Sequence, residues 1–281
     1  MIPTTISDVR NGGGRERVGA AIRLASARTG VDFDYLFSQA RIESNLNPNA
    51  RARTSSATGL YQFIDQTWLA TVDKHGAQHG LGWAASAIQR GPNGRYHVAD
   101  PATRRAILDL RRQPEAASAM AAEFAADNRD HLESRLGRAA EPVDLYLAHF
   151  LGAGGATRFL RAHDANPDAS GAALLPAAAR ANRSIFYDRN GSPRSVGEIR
   201  ERFAARLGGS GNSNAPERPS LTPSFPDVQM AALNMPASNE SETGSESDSL
   251  SFLTAGRSRP MAGPTPQHAR LAYLMLAQLG D

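Results

Sequence analysis

Wherever apolar residues recur regularly in this 281-residue chain the period is that of an α-helix, and no stretch alternates apolar and polar side chains as a half-buried strand does. The core must therefore come from packed helices, and the expected fold class is mainly α. Glycine and proline punctuate the pattern. After Gly12-Gly13-Gly14, residues Val18, Ala21, Ile22 and Ala25 form one stripe over 15–28, ended by Gly30. Asp32 is placed to cap a second helix that runs to about Asn45, before Pro48. A third covers about 65–75, with Trp68, Leu69 and Val72 inside and Gly76 as its stop. Residues 76–99 are rich in Gly and His without periodicity and read as an excursion from the core. Helices resume at Asp100-Pro101 and at Pro114, where proline suits a first helical position. Over 115–136 the residues Ala117, Met120, Phe124, His131, Leu132 and Leu136 share a stripe. Pro142 opens a helix through Val143, Tyr146, Leu147 and Phe150, ending at Gly152. Ser195 and Glu198 form a capping box for a last helix to about Leu207.

The pattern stops at Gly208-Gly209-Ser210-Gly211. Eight of the 17 prolines and the run SNESETGSESDS lie in 208–281, a composition that buries too little apolar area to offset the entropy of ordering. The chain is thus expected to be a domain at 1–207 and a mostly disordered tail at 208–281. A short helix at about 267–279 interrupts the tail, with Leu271, Leu274, Met275 and Leu279 as its stripe. Such a helix is marginal alone in water, so it should dock on the body or on a partner.

The two parts differ in charge. Residues 1–207 carry 27 basic and 21 acidic side chains, residues 208–281 carry 4 and 7, and the formal net charge of +3 is their sum. Every basic residue except Lys74 is arginine. A basic body suits an anionic partner such as a wall polymer, a membrane surface or nucleic acid, but this excess is mild for a nucleic-acid binder and no nucleic-acid motif accompanies it. The absence of Cys removes disulfides, zinc–thiolate sites and thiol nucleophiles, leaving carboxylates, histidines and hydroxyls for chemistry. His75, His79 and His97 match no standard metal spacing and are expected to be exposed loop residues, with no metal bound. The first residues, MIPTTISDVRNGGGRERVGAAIRLASA, show no basic segment followed by an apolar core, so neither a Sec signal nor a transmembrane span is expected.

One residue breaks the helical pattern in an informative way. In the second helix Phe33, Leu36, Phe37 and Ala40 form the apolar stripe, and Glu43 falls about 20° from the direction of Leu36. Burial disfavours a charged carboxyl, the condition for a general acid working near neutral pH. The competing reading is a helix-end Glu paired with Arg41 or Arg51. Helical geometry alone leaves both open; around Glu43 stand the segments Glu43-Ser44, Asn47-Pro48-Asn49-Ala50 and Gly59-Leu60-Tyr61-Gln62-Phe63.

These segments, together with Leu147-Ala148-His149-Phe150-Leu151-Gly152, resemble the motifs of the soluble lytic transglycosylase family, glycoside hydrolase family 23 of the lysozyme-like superfamily. The likeness covers about 15–207 and weakens through Asn182 and Ile185-Phe186-Tyr187. It implies a lysozyme-like α domain that needs no cofactor, with Glu43 as the single catalytic carboxylate. Such an enzyme cleaves the β-1,4 bond between N-acetylmuramic acid and N-acetylglucosamine in peptidoglycan and leaves a 1,6-anhydromuramoyl end. By the same likeness Ser44, Ser56, Gly59, Tyr61, Gln62, His149 and Tyr187 bind substrate: Gly59 lets backbone approach the sugar ring, Gln62 hydrogen-bonds it, and Tyr187, with Phe186 as competitor, closes the cleft.

The sequence also departs from the family pattern. The Glu-to-Gln spacing is one residue longer than usual, and Ala52 stands where a serine is expected, leaving Thr54, Ser55 and Ser56 as alternatives for its hydroxyl. His149 stands at the family's Tyr and Phe150 at its Asn; a histidine there can hydrogen-bond the glycan, touch Glu43, or be a satisfied residue at a helix end. Three rival functions follow: a muramidase that activates water through Asp65, whose other role is to begin the third helix; a non-catalytic wall-binding assembly protein; and an arginine-rich nucleic-acid binder. A wall enzyme implies a periplasmic or cell-wall location after a cytoplasmic pool. Its export would then use a secretion, flagellar or other envelope-assembly partner, engaged through the tail.

Overall fold

A computed structural model describes residues 6–208, with side chains from Gly13 onward. The tail expected beyond 208, including its helix at 267–279, lies outside the described residues. Within them the chain is mainly helical: α1 (Ile6–Thr29), α2 (Phe33–Ser44), α3 (Asp65–His75), α4 (Gly82–Ala87), α5 (Pro101–Asp109), α6 (Pro114–Leu136), α7 (Pro142–Ala165), α8 (Gly171–Leu174), α9 (Pro176–Ala181), α10 (Arg183–Phe186) and α11 (Val196–Gly208). A two-stranded antiparallel ribbon, β1 (Gln89–Arg90) and β2 (Tyr96–His97), pairs Gln89 with His97 and Arg90 with Tyr96.

The helix starts follow local chemistry. Asp32 and Asp100 each accept a hydrogen bond from a first-turn backbone N–H, at Tyr35 and Thr103. Pro114 and Pro142 occupy first-turn positions where no N–H is needed. Ser195 and Glu198 bond reciprocally, each side chain accepting from the other's backbone N–H at 3.1 and 2.8 Å.

Four boundaries differ from expectation. The backbone of α1 stays helical through Gly12–Gly14, because glycine weakens a helix by about 1 kcal/mol without forbidding it. Gly76 is right-handed (φ −57°) and begins a 3-10 turn, Gly76–His79; the stop is the left-handed Gly80 (φ 75°). The 76–99 excursion holds that turn, α4 and the ribbon. Gly152 (φ 72°, ψ 159°) interrupts α7 as foreseen, but a second helical segment follows it directly to Ala165.

Helix α6 organises the packing, touching α1, α7, α3 and α2, while α11 closes on α7 and α2. The first half of α6 is buried almost all round through Ala116, Ala117, Ser118, Ala119, Met120, Ala121 and Ala122. Its small side chains let neighbouring helices approach closely, as a helix apolar on every side requires. Trp68, Tyr61, Tyr146, Phe150, Phe159 and Phe186 are the largest fully buried side chains of the described core. The Trp68 indole N–H donates to the Ile107 carbonyl at 2.8 Å, so its one polar atom is satisfied.

Candidate functional site

The capped start of α2 fixes which side chains face inward at its end. Leu36, Gln39 and Ala40 are buried, and the Glu43 side chain, on the same face, is 5% exposed. The helix then ends abruptly. Asn45 (φ 53°) and Leu46 (φ 60°) are both left-handed, and their N–H groups close back on the carbonyls of Arg41 and Ala40 at 2.9 and 3.3 Å. Left-handed backbone is uncommon for leucine. Among the described residues the non-glycine residues with positive φ are Asn45 and Leu46, directly after Glu43-Ser44, and Gln62 in the Gly59–Phe63 segment. Strain of this kind persists where surrounding structure over-determines it, and functional sites are a common place for it.

The group that meets Glu43 comes from α7. His149 is 6% exposed, and its Nε2 lies 3.5 Å from Glu43 Oε1, within ion-pair distance. Oε1 is buried and makes no hydrogen bond. The His149 ring stacks on Tyr146 (centroids 6.1 Å, interplanar angle 10°) and stands edge-on to Phe124 (6.5 Å, 79°). The Tyr146 hydroxyl is buried and interacts with Glu43. Burial first, then the negative charge of Glu43, pushes it well above the usual phenol range. Tyr35 on α2 is pushed up by burial, then by Tyr61 and Glu43. Glu43 therefore sits beside an imidazole and among two phenols, and the phenols keep their protons.

The Gly59–Phe63 segment leads into α3 and is fastened by Arg111. This arginine is 6% exposed. It donates to the carbonyls of Leu108, Ser56 and Phe63 at 2.9, 2.8 and 2.9 Å and meets Asp65 Oδ1 at 3.0 Å. Burial lowers its pKa and Asp65 opposes that. Gly59 (φ 85°) lies against the Arg111 backbone so closely that a Cβ would fall 1.9 Å from its carbonyl oxygen. The glycine thus has an intramolecular reason, separate from the sugar approach expected of it. The Gln62 amide donates to the Gly59 and Ala50 carbonyls at 2.9 and 3.3 Å, bracing the loop. Tyr61 is 1% exposed and belongs to the core. Ser44 donates to Ala40 within its own helix, Ser56 accepts from the Asp65 N–H at the start of α3, and Ser55 accepts from Ala57. Asp65 begins α3 and is held by Arg104 at 2.7 Å as well as by Arg111.

Elsewhere Phe150 packs on Phe203 of α11 at 5.0 Å. Phe186 is fully buried, whereas Tyr187 is half-buried beneath the Arg183 guanidinium, 4.6 Å from its ring centroid. Asn182 donates to Ala178. The three histidines expected to be exposed loop residues correct that expectation: of them, His97 alone is exposed. His75 meets Asp127 at 2.9 Å and Glu123 at 3.3 Å, and His79 meets Glu123 at 2.7 Å. Both sit against α6 because the chain past Gly76 stays helical and does not loop outward. Among the described residues no group of three or more His, Asp or Glu side chains is arranged to hold a metal ion. No described helix is long and apolar enough to cross a membrane. A groove of about 240 Å³, lined by Leu24, Arg28, His79, Leu81 and Glu115 among others, shares no residue with the Glu43 cluster.

Sequence reasoning missed Tyr35, Tyr146 and Arg111. Tyr146 could have been found from its position one helical turn before His149; the other two carry no local signal. No protein-family model matches the chain.

Proposed function

We propose that this chain is a peptidoglycan lytic transglycosylase of the lysozyme-like kind, with Glu43 as its acid and base. The observation that carries the reading is the environment of Glu43: a carboxyl side chain 5% exposed, with an imidazole 3.5 Å from Oε1. Glu43 would protonate the glycosidic oxygen between N-acetylmuramic acid and N-acetylglucosamine. As a carboxylate it would then take the proton of the muramoyl C6 hydroxyl while that oxygen bonds to C1. The C1–O bond to the leaving sugar breaks, a 1,6-anhydro ring forms, and no water is consumed. One carboxylate suffices because the substrate carries the nucleophile.

The engagement of Asp65 supports this over hydrolysis through that acid. An inverting hydrolase holds its second carboxylate about 6.5–9.5 Å away, across the sugar from the acid. Asp65, the acid that could serve a muramidase, is engaged by Arg104 and Arg111. The glycan strand is the partner this reading requires, and the periplasm or cell wall is where it would act, in local remodelling or penetration of the wall. An export or assembly partner for the tail belongs to the same proposal, on residues outside those described.

The test is mass spectrometry of muropeptides released from purified sacculi. The wild-type protein should release anhydromuramoyl products, and Glu43→Gln should release none. Products heavier by one water would mean a muramidase, and binding without cleavage would mean a wall-binding protein.

A further inference from the structure

On that reading Glu43 must both give and take a proton, and two oxygens are present to do it. One of them is held in a defined setting. Oε1 is enclosed, faces His149 Nε2 at 3.5 Å and has no hydrogen bond. The imidazole facing it has little freedom to turn, being stacked on Tyr146 and edged against Phe124. Catalytic hydrogen bonds are commonly long before substrate binds and tighten afterwards.

We infer that His149 is a positioning residue for Glu43, donating its Nε2 proton to Oε1 throughout the reaction so that the other oxygen, Oε2, alone carries the transferred proton. The same N–H serves both states of the acid. When Glu43 is protonated on Oε2, Oε1 is a carbonyl oxygen that accepts from Nε2. When the proton has gone to the glycosidic oxygen, Oε1 is part of a carboxylate and accepts the same hydrogen more strongly. The C6 hydroxyl then returns a proton to Oε2, and the imidazole neither gains nor loses one. Of the roles the sequence leaves open to His149, its burial and the 3.5 Å approach of Nε2 to Oε1 favour contact with Glu43 over a hydrogen bond to the glycan.

The inference rests on the transglycosylase reading, and the experiment separates the two. Three proteins are compared on purified sacculi and soluble glycan strands: wild type, His149→Gln, which keeps an N–H donor, and His149→Phe, which keeps the stacking ring without a donor. His149→Phe should lower kcat about 100-fold with KM little changed, since misplacing a catalytic group costs about that much. His149→Gln should recover most of the loss, and both variants should still form only anhydromuramoyl products. Wild-type kcat in His149→Phe, or a His149→Gln no faster than His149→Phe, would overturn the inference. Wild-type products that contain added water would instead overturn the transglycosylase reading. A measurement on the wild-type protein needs no variant to fold: the side-chain nitrogen NMR signals of His149 should show Nε2 protonated, and a ring protonated on Nδ1 alone would refute the proposal.

Discussion

At the scale of single residues, the loop that carries Gln62 is held by contacts that leave no slack. Gly59 combines a φ of 85° with a backbone so close to Arg111 that a Cβ would stand 1.9 Å from the carbonyl oxygen. No rotamer relieves a backbone clash, so Gly59→Ala must move the loop or the Leu110–Arg112 turn. We expect a loss on the order of 3 kcal/mol, the sum of left-handed strain and overpacking, measured by urea unfolding. Activity on sacculi should fall with it, because Gln62 braces on the Gly59 carbonyl. This glycine was legible in the sequence only as part of a motif. Its physical reason was not, because the atom it avoids belongs to a residue 52 positions later. For Glu43, helical spacing put it on the buried face of α2 and left contact with Glu43 as one of several roles for His149; that His149 stands at 3.5 Å follows from how α7 packs.

At the scale of elements, the contrast between α3 and α7 shows what local pattern can and cannot specify. The span of α3 was readable at 65–75 because its apolar stripe and its acidic start are contained within the helix. Where the chain went after Gly76 was not, since His75 and His79 are drawn onto α6 by Glu123 and Asp127. In α7 the break at Gly152 was readable, yet the buried acid in its first turn was not. Asp144 is fully enclosed, with Arg138 at 2.7 Å and Arg200 of α11 at 3.1 Å, and it also accepts from the Glu141 N–H at 3.2 Å. It caps α7 and ties it to α11 at once. Removing a buried partner leaves the remaining charges uncompensated, a loss of about 3–5 kcal/mol. Asp144→Ala should therefore destabilise the protein by about 3 kcal/mol, the low end, because Arg138 is 32% exposed and can regain water. The check is the urea midpoint, together with faster amide exchange across both α7 and α11; exchange confined to α7 would mean that the acid serves only as a cap.

For the molecule as a whole, the Glu43 cluster is continuous with the core, and this makes alkaline stability a property of the entire fold. Tyr35, Tyr61 and Tyr146 come from α2, the loop before α3, and α7, and each is 3% exposed or less. Burial is the leading cause that raises all three above the usual phenol value, with Glu43 adding to the shift at Tyr35 and Tyr146. Unfolded tyrosines ionise near pH 10. Below that pH both states keep the protons and the folded protein has its full stability. Above it the unfolded chain loses protons that the folded protein still holds, so the unfolded state binds fewer and stability falls as pH rises. Each such tyrosine contributes a slope of about −1.4 kcal/mol per pH unit in this window, and three acting together about −4. Urea midpoints measured from pH 8 upward should therefore be flat on this account until about pH 10 and then drop steeply. Of the six tyrosines, three should show tyrosinate absorbance only when the chain unfolds. Replacing Tyr146 with Phe should remove about a third of the slope. If all six titrate in the folded protein, with unfolding left unchanged, then the tyrosines around Glu43 are open to solvent and the enclosed acid described above is not the solution state.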